Sequence, residues 1–395
     1  MKTSRRQLLR NGMLTMGGLT LVPHLSLSES WRAPVKLGKN GNALYSPFFE
    51  EYVDLEFPEA KKALAAKLNA NENPYGPSPK AVKAHEEGSK MGNRYAWRDL
   101  FDLIDKIATK EGVKKENVIM GPGSSDILEK FGMVMHMKGG NIVSADPAYM
   151  SMIRVAEAIG ADWKGVKLND DWSHDLDGME KAIDANTKLV YICNPNNPTG
   201  SITDGAKLKD FCKKVSKKVP VFIDEAYMEF LPEEEQMSMV SLVAEGYDVI
   251  IARTFSKIHG MAGLRVGYGI AKESTLEQIQ SITRGGMGIS YPSVMAALAS
   301  MDDVDFHKKS RDKNTAAREY VFAELKKRGF DYVPSVTSFV LFPIEMEGKA
   351  FLKKMTDQRV GVRAFKIYDE DWCRVSMGTM EEVKIFVSAL DTVLS

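Results

Sequence analysis

The sequence contains few cysteines. Cys193, Cys212 and Cys373 are the only three in 395 residues. Three thiols cannot form the disulfide framework on which small secreted domains depend, and their spacing does not match that of metal ligands. We therefore expect all three to be small buried apolar residues, and the sequence predicts no metal site.

The sequence also lacks an excess of charge, a long apolar run and an internal repeat. Lys and Arg together number 53, as do Asp and Glu, so nothing favours nucleic acid as a partner. No apolar run reaches the roughly 20 residues that a transmembrane helix needs. With 44% hydrophobic residues, a chain of this length can bury the cores of two or three domains.

The first 30 residues form a separate segment. Arg5 and Arg6 precede a short, weakly apolar stretch at about Met13–Val22, and Ser26-Leu27-Ser28 has small residues at cleavage-site spacing. Paired arginines before such a stretch resemble a twin-arginine export signal. We expect residues 1–30 to engage the twin-arginine translocation machinery transiently and to direct the protein to the periplasm or the medium. The alternative is a basic N-terminal helix of a cytoplasmic protein.

The rest of the chain divides into three parts. Residues 31–80 contain scattered apolar residues and several prolines, which indicates an N-terminal arm. In residues 81–275, helical patterns alternate with short apolar runs, which predicts an α/β domain with a mostly parallel sheet flanked by helices. The candidate strands of this domain are 117–120, 142–145, 189–193, 221–224, 249–253 and 265–270.

The pattern changes beyond residue 275. A long charged helical stretch at 303–328 is followed by short strands near 338–342, 360–363 and 373–376 and by an amphipathic helix at 381–393. This order predicts a smaller α+β domain over residues 276–395. We expect the N-terminal arm to pack with it.

Four motifs lie at or just beyond the ends of candidate strands, where ligands bind in open α/β sheets. Taken alone, each is also typical of an ordinary turn, helix start or solvated loop. The motifs are Gly121-Pro122-Gly123-Ser124-Ser125-Asp126, Asn194-Pro195-Asn196-Asn197-Pro198-Thr199-Gly200, Asp224-Glu225-Ala226-Tyr227 and Thr254-Phe255-Ser256-Lys257.

The order and spacing of the four motifs together are far more specific than any one motif alone. With Gly263-Leu264-Arg265-Val266-Gly267, they resemble the fold-type I pyridoxal-phosphate enzymes of aminotransferase class I/II, most closely the histidinol-phosphate aminotransferase-like branch. The resemblance covers about residue 67 to the C-terminus. It implies a large domain that binds pyridoxal 5'-phosphate, a smaller C-terminal domain and a homodimer.

The resemblance assigns cofactor roles that agree with the chemistry of the residues. Lys257 supplies the amine that holds the cofactor as a Schiff base. Asp224 is the anion that keeps the pyridine nitrogen protonated. A helix N-terminus, two hydroxyls and one guanidinium hold the phosphate. These phosphate-binding residues are Ser124, Ser125, Asp126, Thr254, Ser256 and Arg265.

Further matches concern the cofactor ring and the substrate. Asn197 and Tyr227 match donors to the ring's phenolic oxygen, Tyr149 matches the stacking aromatic, and Tyr95 matches a tyrosine that reaches the phosphate of a neighbouring subunit. Arg374 matches the arginine that binds the α-carboxylate, for which a planar guanidinium is suited. Asn73 and Tyr75 match the N-terminal substrate segment. Alternatively, Arg374 lies on a strand edge and Asn73 and Tyr75 belong to a plain turn.

These matches predict an aminotransferase acting between an amino acid or related amine and a 2-oxo acid. A pyridoxal-phosphate decarboxylase or lyase on the same scaffold is the alternative, because the cofactor stabilises a carbanion whichever bond breaks. A non-catalytic binding protein of this fold is less consistent with an intact set of Lys257, Asp224 and Asn197. Ala96-Trp97 follows Tyr95 where the branch usually has proline, so the sequence leaves the donor and acceptor open.

Overall fold

The computed structural model describes residues 36–37, 41–52 and 64–394, so the predicted export signal at residues 1–30 lies outside the described residues. The strands, in chain order, are β1 (Lys36–Leu37), β2 (Ala43–Ser46), β3 (Phe49–Glu51), β4 (Ala66–Lys67), β5 (Val118–Gly121), β6 (Asn141–Asp146), β7 (Asp162–Lys167), β8 (Thr187–Cys193), β9 (Val221–Asp224), β10 (Val249–Thr254), β11 (Gly267–Ile270), β12 (Phe339–Pro343), β13 (Val360–Gly361), β14 (Arg363–Ile367) and β15 (Glu370–Ser376).

Helices flank and connect these strands. They are α1 (Pro79–Ser89), α2 (Trp97–Glu111), α3 (Ser124–His136), α4 (Ser151–Ala158), α5 (Leu176–Ala182), α6 (Gly205–Val215), α7 (Val240–Ala244), α8 (Glu273–Gln280), α9 (Tyr291–Met301), α10 (Val304–Lys327), α11 (Gly348–Asp357) and α12 (Met380–Leu394). In the described part of the chain, no helix is both long and apolar enough to cross a membrane.

A seven-stranded sheet organises the large domain, in the order β5-β11-β10-β9-β8-β6-β7. Only β11 runs antiparallel to its neighbours, β10 and β5. This arrangement, with helices on both sides, confirms the predicted mostly parallel α/β fold. The apolar runs of the strands follow from burial on both faces: Leu189 and Tyr191 of β8 pack into one core cluster, and Val190 and Ile192 into the other.

The flanking helices follow from local sequence signals. In α3, Ile127, Leu128 and Phe131 recur at helical spacing and are fully buried against the sheet. Helix α6 begins where the Asp204 side chain accepts a hydrogen bond from the Lys207 N–H. Helix α2 ends at Gly112, which takes the left-handed conformation that favours glycine.

Two elements of the large domain differ from the sequence expectation. Strand β7 was not predicted, because Asp162–Lys167 lies at the edge of the sheet and is largely exposed, so it carries no apolar run. The strand predicted from Arg265 begins at Gly267 instead. Arg265 adopts a left-handed conformation (φ 54°), which takes it out of the extended backbone of β11.

The core of the large domain continues beyond the predicted boundary at residue 275. Val294, Ala296 and Ala297 of α9 are fully buried in the same apolar cluster as Val221 and Val249. Helix α9 packs on α1 and α2. The sequence at 291–301 is apolar on nearly every side, so it carries no amphipathic period that would have marked it as a helix.

A six-stranded antiparallel sheet forms the second unit, in the order β1-β2-β3-β14-β15-β12. Strand β3 of the arm pairs with β14, so the arm extends the sheet of the C-terminal domain. The three cysteines are buried and unpaired with one another, as expected. Cys193 ends β8, Cys212 lies in α6, and Cys373 lies in β15.

Candidate active site

A cavity of about 700 Å³ lies between the carboxyl edge of the large sheet and the small sheet. Residues of the arm and of both domains line it. Most of the residues singled out in the sequence meet here: Ser124, Ser125, Tyr149, Asn197, Asp224, Tyr227, Thr254, Ser256, Lys257, Arg265 and Arg374.

The parallel strands explain why residues far apart in sequence converge. Cys193, Asp224 and Thr254 are the last residues of β8, β9 and β10, which are neighbours in the sheet. Carboxyl ends of parallel strands meet at one edge, and the loops that follow them carry Asn197, Tyr227 and Lys257 into the cavity.

Among the residues that the structure describes, Lys257 is the only lysine that lines this cavity. Its Nζ donates to the backbone oxygen of Asn71 at 3.0 Å. Burial and the nearby Arg374 cation lower the pKa of Lys257 to about 8. A larger fraction of this amine is therefore neutral at physiological pH than for an exposed lysine, and the neutral amine is the nucleophile.

Asp224 lies deeper in the cavity and is 3% exposed. Its Oδ1 accepts the Ala226 N–H at 3.1 Å. Among the described side chains, Asp224 has no salt-bridge partner, and burial raises its pKa to about 7. A cation placed beside this carboxyl group would favour its ionised form.

An anion site is formed where α3 begins. No side chain caps the N-terminus of α3, and Gly123 precedes it in a left-handed conformation (φ 88°). A Cβ at Gly123 would collide with the guanidinium of Arg265, and one at Gly267 would collide with the Ser124 nitrogen. The glycines therefore allow a cation and free backbone N–H groups to converge, which suits a phosphate.

Arg265 is oriented within this site by two hydrogen bonds. Its Nη1 donates to Ser256 Oγ at 3.2 Å and to the backbone oxygen of Ala262 at 3.0 Å. Thr254 Oγ1 accepts the Ser256 N–H at 3.0 Å. Both hydroxyls and the guanidinium thus belong to the segment from the end of β10 to the start of β11.

Arg374 lies on β15 in the opposite wall of the cavity and is 5% exposed. Its Nη1 donates to Asn197 Oδ1 at 2.5 Å, and its Nε has no partner among the described residues. Burial and the neighbouring Arg363 lower the pKa of Arg374 to about 10, so it remains charged at neutral pH. A buried guanidinium paired only with an amide is suited to binding an anion.

Asn71 connects several of these groups, although it was not singled out in the sequence. Its Nδ2 donates to Tyr227 Oη at 3.0 Å, and its Oδ1 accepts from Ser376 Oγ at 2.7 Å. Its backbone oxygen binds Lys257. Asn71 lies in the same N-terminal segment as Asn73 and Tyr75, but only its left-handed backbone (φ 52°) and burial reveal this role.

Four predicted residues do not line the cavity. Asn73 donates to the backbone oxygen of Ile258, and the Lys313 ammonium group lies over the ring of Tyr75. Both residues line a separate small pocket. The Asp126 carboxylate pairs with Lys130 at 2.5 Å, while its backbone N–H, the group expected to bind the phosphate, lies in the first turn of α3. Tyr95 is 76% exposed on the surface, which a role in a neighbouring subunit would require.

Other lining residues were also missed in the sequence, among them Tyr45, Glu51, Arg154 and Arg363. Glu51 Oε1 accepts from Arg363 Nη1 at 2.8 Å, and Glu51 Oε2 accepts from Tyr45 Oη at 2.5 Å. Arg154 stacks on the ring of Tyr45, 4.3 Å from its centroid. Nothing in the scattered composition of the arm indicated that residues 43–51 reach this site.

The cavity therefore fits pyridoxal phosphate: an amine, an unpaired buried carboxyl group and an anion site share one space. A lysine-bound aromatic phosphate on a mostly parallel sheet defines the fold-type I pyridoxal-phosphate enzymes. Within that class, the chain belongs to the family described as "Aminotransferase class I and II", whose sequence profile matches residues 65–390. The protein is a pyridoxal-phosphate-dependent aminotransferase.

Individual relatives agree with this assignment. A histidinol-phosphate aminotransferase of Moorella thermoacetica is 36% identical over 332 residues, covering 83% of this chain and 85% of the relative. Another, from Dechloromonas aromatica, is 35% identical over 329 residues, covering 83% of this chain and 90% of the relative.

A solved structure extends the comparison to the cofactor. The histidinol-phosphate aminotransferase of Sinorhizobium meliloti, in complex with pyridoxal-5'-phosphate, superposes with a TM-score of 0.78 at 27% identity, covering 84% of this chain and 92% of that one. These findings confirm the predicted fold, cofactor and enzyme class, and the resemblance to the histidinol-phosphate aminotransferase-like branch.

Proposed function

We propose that the protein transfers the amino group of a 2-amino acid to a 2-oxo acid and that Arg374 binds the carboxylate common to both substrates. The observation that carries this proposal is the state of Arg374: it is buried and charged, has no carboxylate partner among the described residues, and shares a cavity with Lys257. Because an aminotransferase binds donor and acceptor in turn at one site, one carboxylate-binding arginine can serve both substrates.

The roles of the other cavity residues follow from their positions. The bound cofactor supplies an electron sink for the negative charge that develops on the substrate's α-carbon. Lys257 would hold the cofactor through its amine and, once that amine is free, its Nζ would take a proton from the substrate's α-carbon and return one. The carboxylate of Asp224 would pair with the ring nitrogen and favour its protonated form.

The remaining groups hold the cofactor in place. Thr254, Ser256, Arg265 and the start of α3 would bind its phosphate. Asn197 and Tyr227 would donate to its phenolic oxygen, and Tyr149 would pack against its ring. Asn71 positions both Lys257 and Tyr227 through its backbone oxygen and its amide.

Histidinol phosphate, the substrate named for the relatives, is a second candidate donor. It lacks the carboxylate, so its phosphate would have to meet Arg374. A panel of amino acids and histidinol phosphate, each assayed with 2-oxoglutarate and with pyruvate, tests the proposal. We expect turnover that depends on the 2-oxo acid. Release of carbon dioxide without any 2-oxo acid would point to the decarboxylase alternative.

We also propose that the protein is exported through the twin-arginine pathway, which carries folded proteins. Arg5 and Arg6 at the extreme N-terminus support this, although residues 1–30 lie outside the described residues. A fusion of residues 1–30 to a folded reporter should reach the periplasm, and changing both arginines to lysine should retain it in the cytoplasm. Export that survives the double change would contradict this route.

A further inference from the structure

Part of the cavity wall comes from a segment outside the family match. The match begins at residue 65, yet Ala43, Tyr45, Phe49 and Glu51 of the β2–β3 hairpin line the cavity. The hairpin is held there by the pairing of β3 with β14 and by Arg154, which stacks on Tyr45. This chain therefore adds its own surface to the site.

The hairpin places a carboxylate against one of two neighbouring arginines. Arg363 and Arg374 face each other across the β14–β15 ladder. Glu51 binds Arg363 at 2.8 Å, whereas no carboxylate among the described residues binds Arg374. Burial opposes ionisation of Glu51, but Arg363 and the Tyr45 hydroxyl outweigh it and hold its pKa below the ordinary value. Glu51 is thus a carboxylate at neutral pH.

The same wall offers apolar surface beside these charges. The rings of Tyr45 and Phe49 lie 4.9 Å apart, and those of Phe49 and Phe365 lie 5.8 Å apart. A substrate whose carboxylate is held by Arg374 would direct its side chain toward this wall. A second anionic group of the substrate would find Arg363 already paired with Glu51. It would also lie close to the negative charge of Glu51.

We propose that Glu51 is a specificity determinant: by neutralising Arg363, it favours substrates with an uncharged side chain over those with a second carboxylate or phosphate. This inference rests on the proposed function, because it takes Arg374 as the carboxylate clamp. Arg154 leaves the wall with some positive charge, so Glu51 sets the degree of preference. The affected quantity is the ratio of Kd values, or of kcat/KM values, between anionic and neutral ligands of equal length.

Binding of unreactive acids to the holoenzyme measures this ratio directly. Glutarate and pentanoate have equal chain lengths and differ by one carboxylate. In Glu51→Gln, the Kd of glutarate relative to pentanoate, measured by calorimetry, should fall about tenfold, since a charge-assisted bond to the released Arg363 becomes available. The ratio of kcat/KM for glutamate to that for 2-aminopentanoate should rise by about the same factor.

Glu50→Gln is the matched control, because Glu50 precedes Glu51 on β3 and its side chain points to the other face of the sheet. It should leave both ratios unchanged. Arg363→Gln should shift them in the opposite direction, and the double variant Glu51→Gln with Arg363→Gln should return them to within about threefold of wild type. Loss of packing alone would not reverse sign in this way.

The outcomes separate this inference from the proposed function. If Arg374→Ala leaves the binding of both acids unchanged, the carboxylate clamp is wrong and the proposed function fails. If Arg374→Ala weakens both acids but Glu51→Gln leaves both ratios within twofold of wild type, only the role of Glu51 is overturned.

Discussion

Burial changes the chemistry of two residues at the centre of the site. Lys257 is held partly neutral by burial and by Arg374, and Asp224 is held partly protonated by burial. Burial disfavours the charged form of each group, and a bound cofactor would remove that disadvantage. Lys257 would form a covalent bond to it, and Asp224 would gain a cation as its partner. Neither state can be predicted from sequence, since both depend on surroundings contributed by distant segments.

The pH dependence of cofactor attachment tests the state of Lys257. Attachment requires the neutral amine, and with a pKa of about 8 the neutral fraction rises with pH and reaches half near pH 8. The rate of attachment to cofactor-free protein, followed by absorbance, should therefore rise through pH 8 and then level off. In Arg374→Gln the loss of a neighbouring cation should move the midpoint to higher pH. A wild-type midpoint near pH 10 would contradict this account.

Asp224→Asn tests the role of the buried carboxylate. The amide keeps the shape of the side chain but cannot hold the ring nitrogen protonated. We expect the cofactor to remain bound while kcat falls about 10²- to 10⁴-fold, which corresponds to a lost ion pair of roughly 3–5 kcal/mol felt in the transition state. Single-turnover absorbance would measure the rate. A rate within threefold of wild type would exclude this role.

At the scale of elements, the anion site depends on the turn that leads into α3. Gly123 has a positive φ, and a Cβ there would collide with Arg265. Gly123→Ala should therefore weaken cofactor binding by at least about tenfold, as displaced Arg265 loses a charge-assisted bond to the phosphate. The Kd is measured by absorbance titration of cofactor-free protein.

Gly112→Ala provides the control for backbone strain. Gly112 ends α2 with a similar positive φ, but a Cβ there would meet no atom within 4 Å. It should lower the melting temperature, because alanine disfavours a positive φ, and leave the cofactor Kd unchanged. Equal loss of cofactor affinity in both variants would mean that strain, and not the position of Arg265, controls binding.

Strands and helices could be predicted from the sequence where one hydrophobic pattern dominated. The buried strands β8, β9 and β10 are continuous apolar runs, so both their existence and the convergence of Asn197, Asp224 and Lys257 at their ends could be inferred. The exposed edge strand β7 and the uniformly apolar α9 gave no period. The hairpin that carries Glu51 gave none either, because its position depends on pairing with β14, which is more than 300 residues away in sequence.

In the whole molecule, the surface around the start of α2 fits the homodimer that the family resemblance implies. Trp97 and Phe101 lie one helical turn apart and are 50% and 60% exposed, beside the exposed Tyr95. Contiguous exposed aromatic residues are typical of an interaction surface. We propose that a second copy of the chain covers them and that Tyr95 reaches the phosphate site of that copy.

Phe101→Asp should weaken this dimer, because it places a charge in an apolar interface. Sedimentation velocity should show a shift toward monomer at micromolar concentration, together with weaker cofactor binding as Tyr95 is withdrawn. Met137→Asp is the control, since Met137 is equally exposed, at 58%, but lies at the far end of α3. If wild type sediments as a monomer, or if Phe101→Asp behaves as wild type, this interface is wrong.

Borohydride reduction of the holoenzyme shows whether Lys257 carries the cofactor. Reduction makes the bond to the cofactor permanent, so peptide mapping by mass spectrometry identifies the attached residue. We predict a pyridoxyl phosphate group on the peptide containing Lys257, and none in Lys257→Ala, which should also lack turnover. Attachment instead to another lysine, such as Lys130 in the middle of α3, would show that Lys257 does not carry the cofactor.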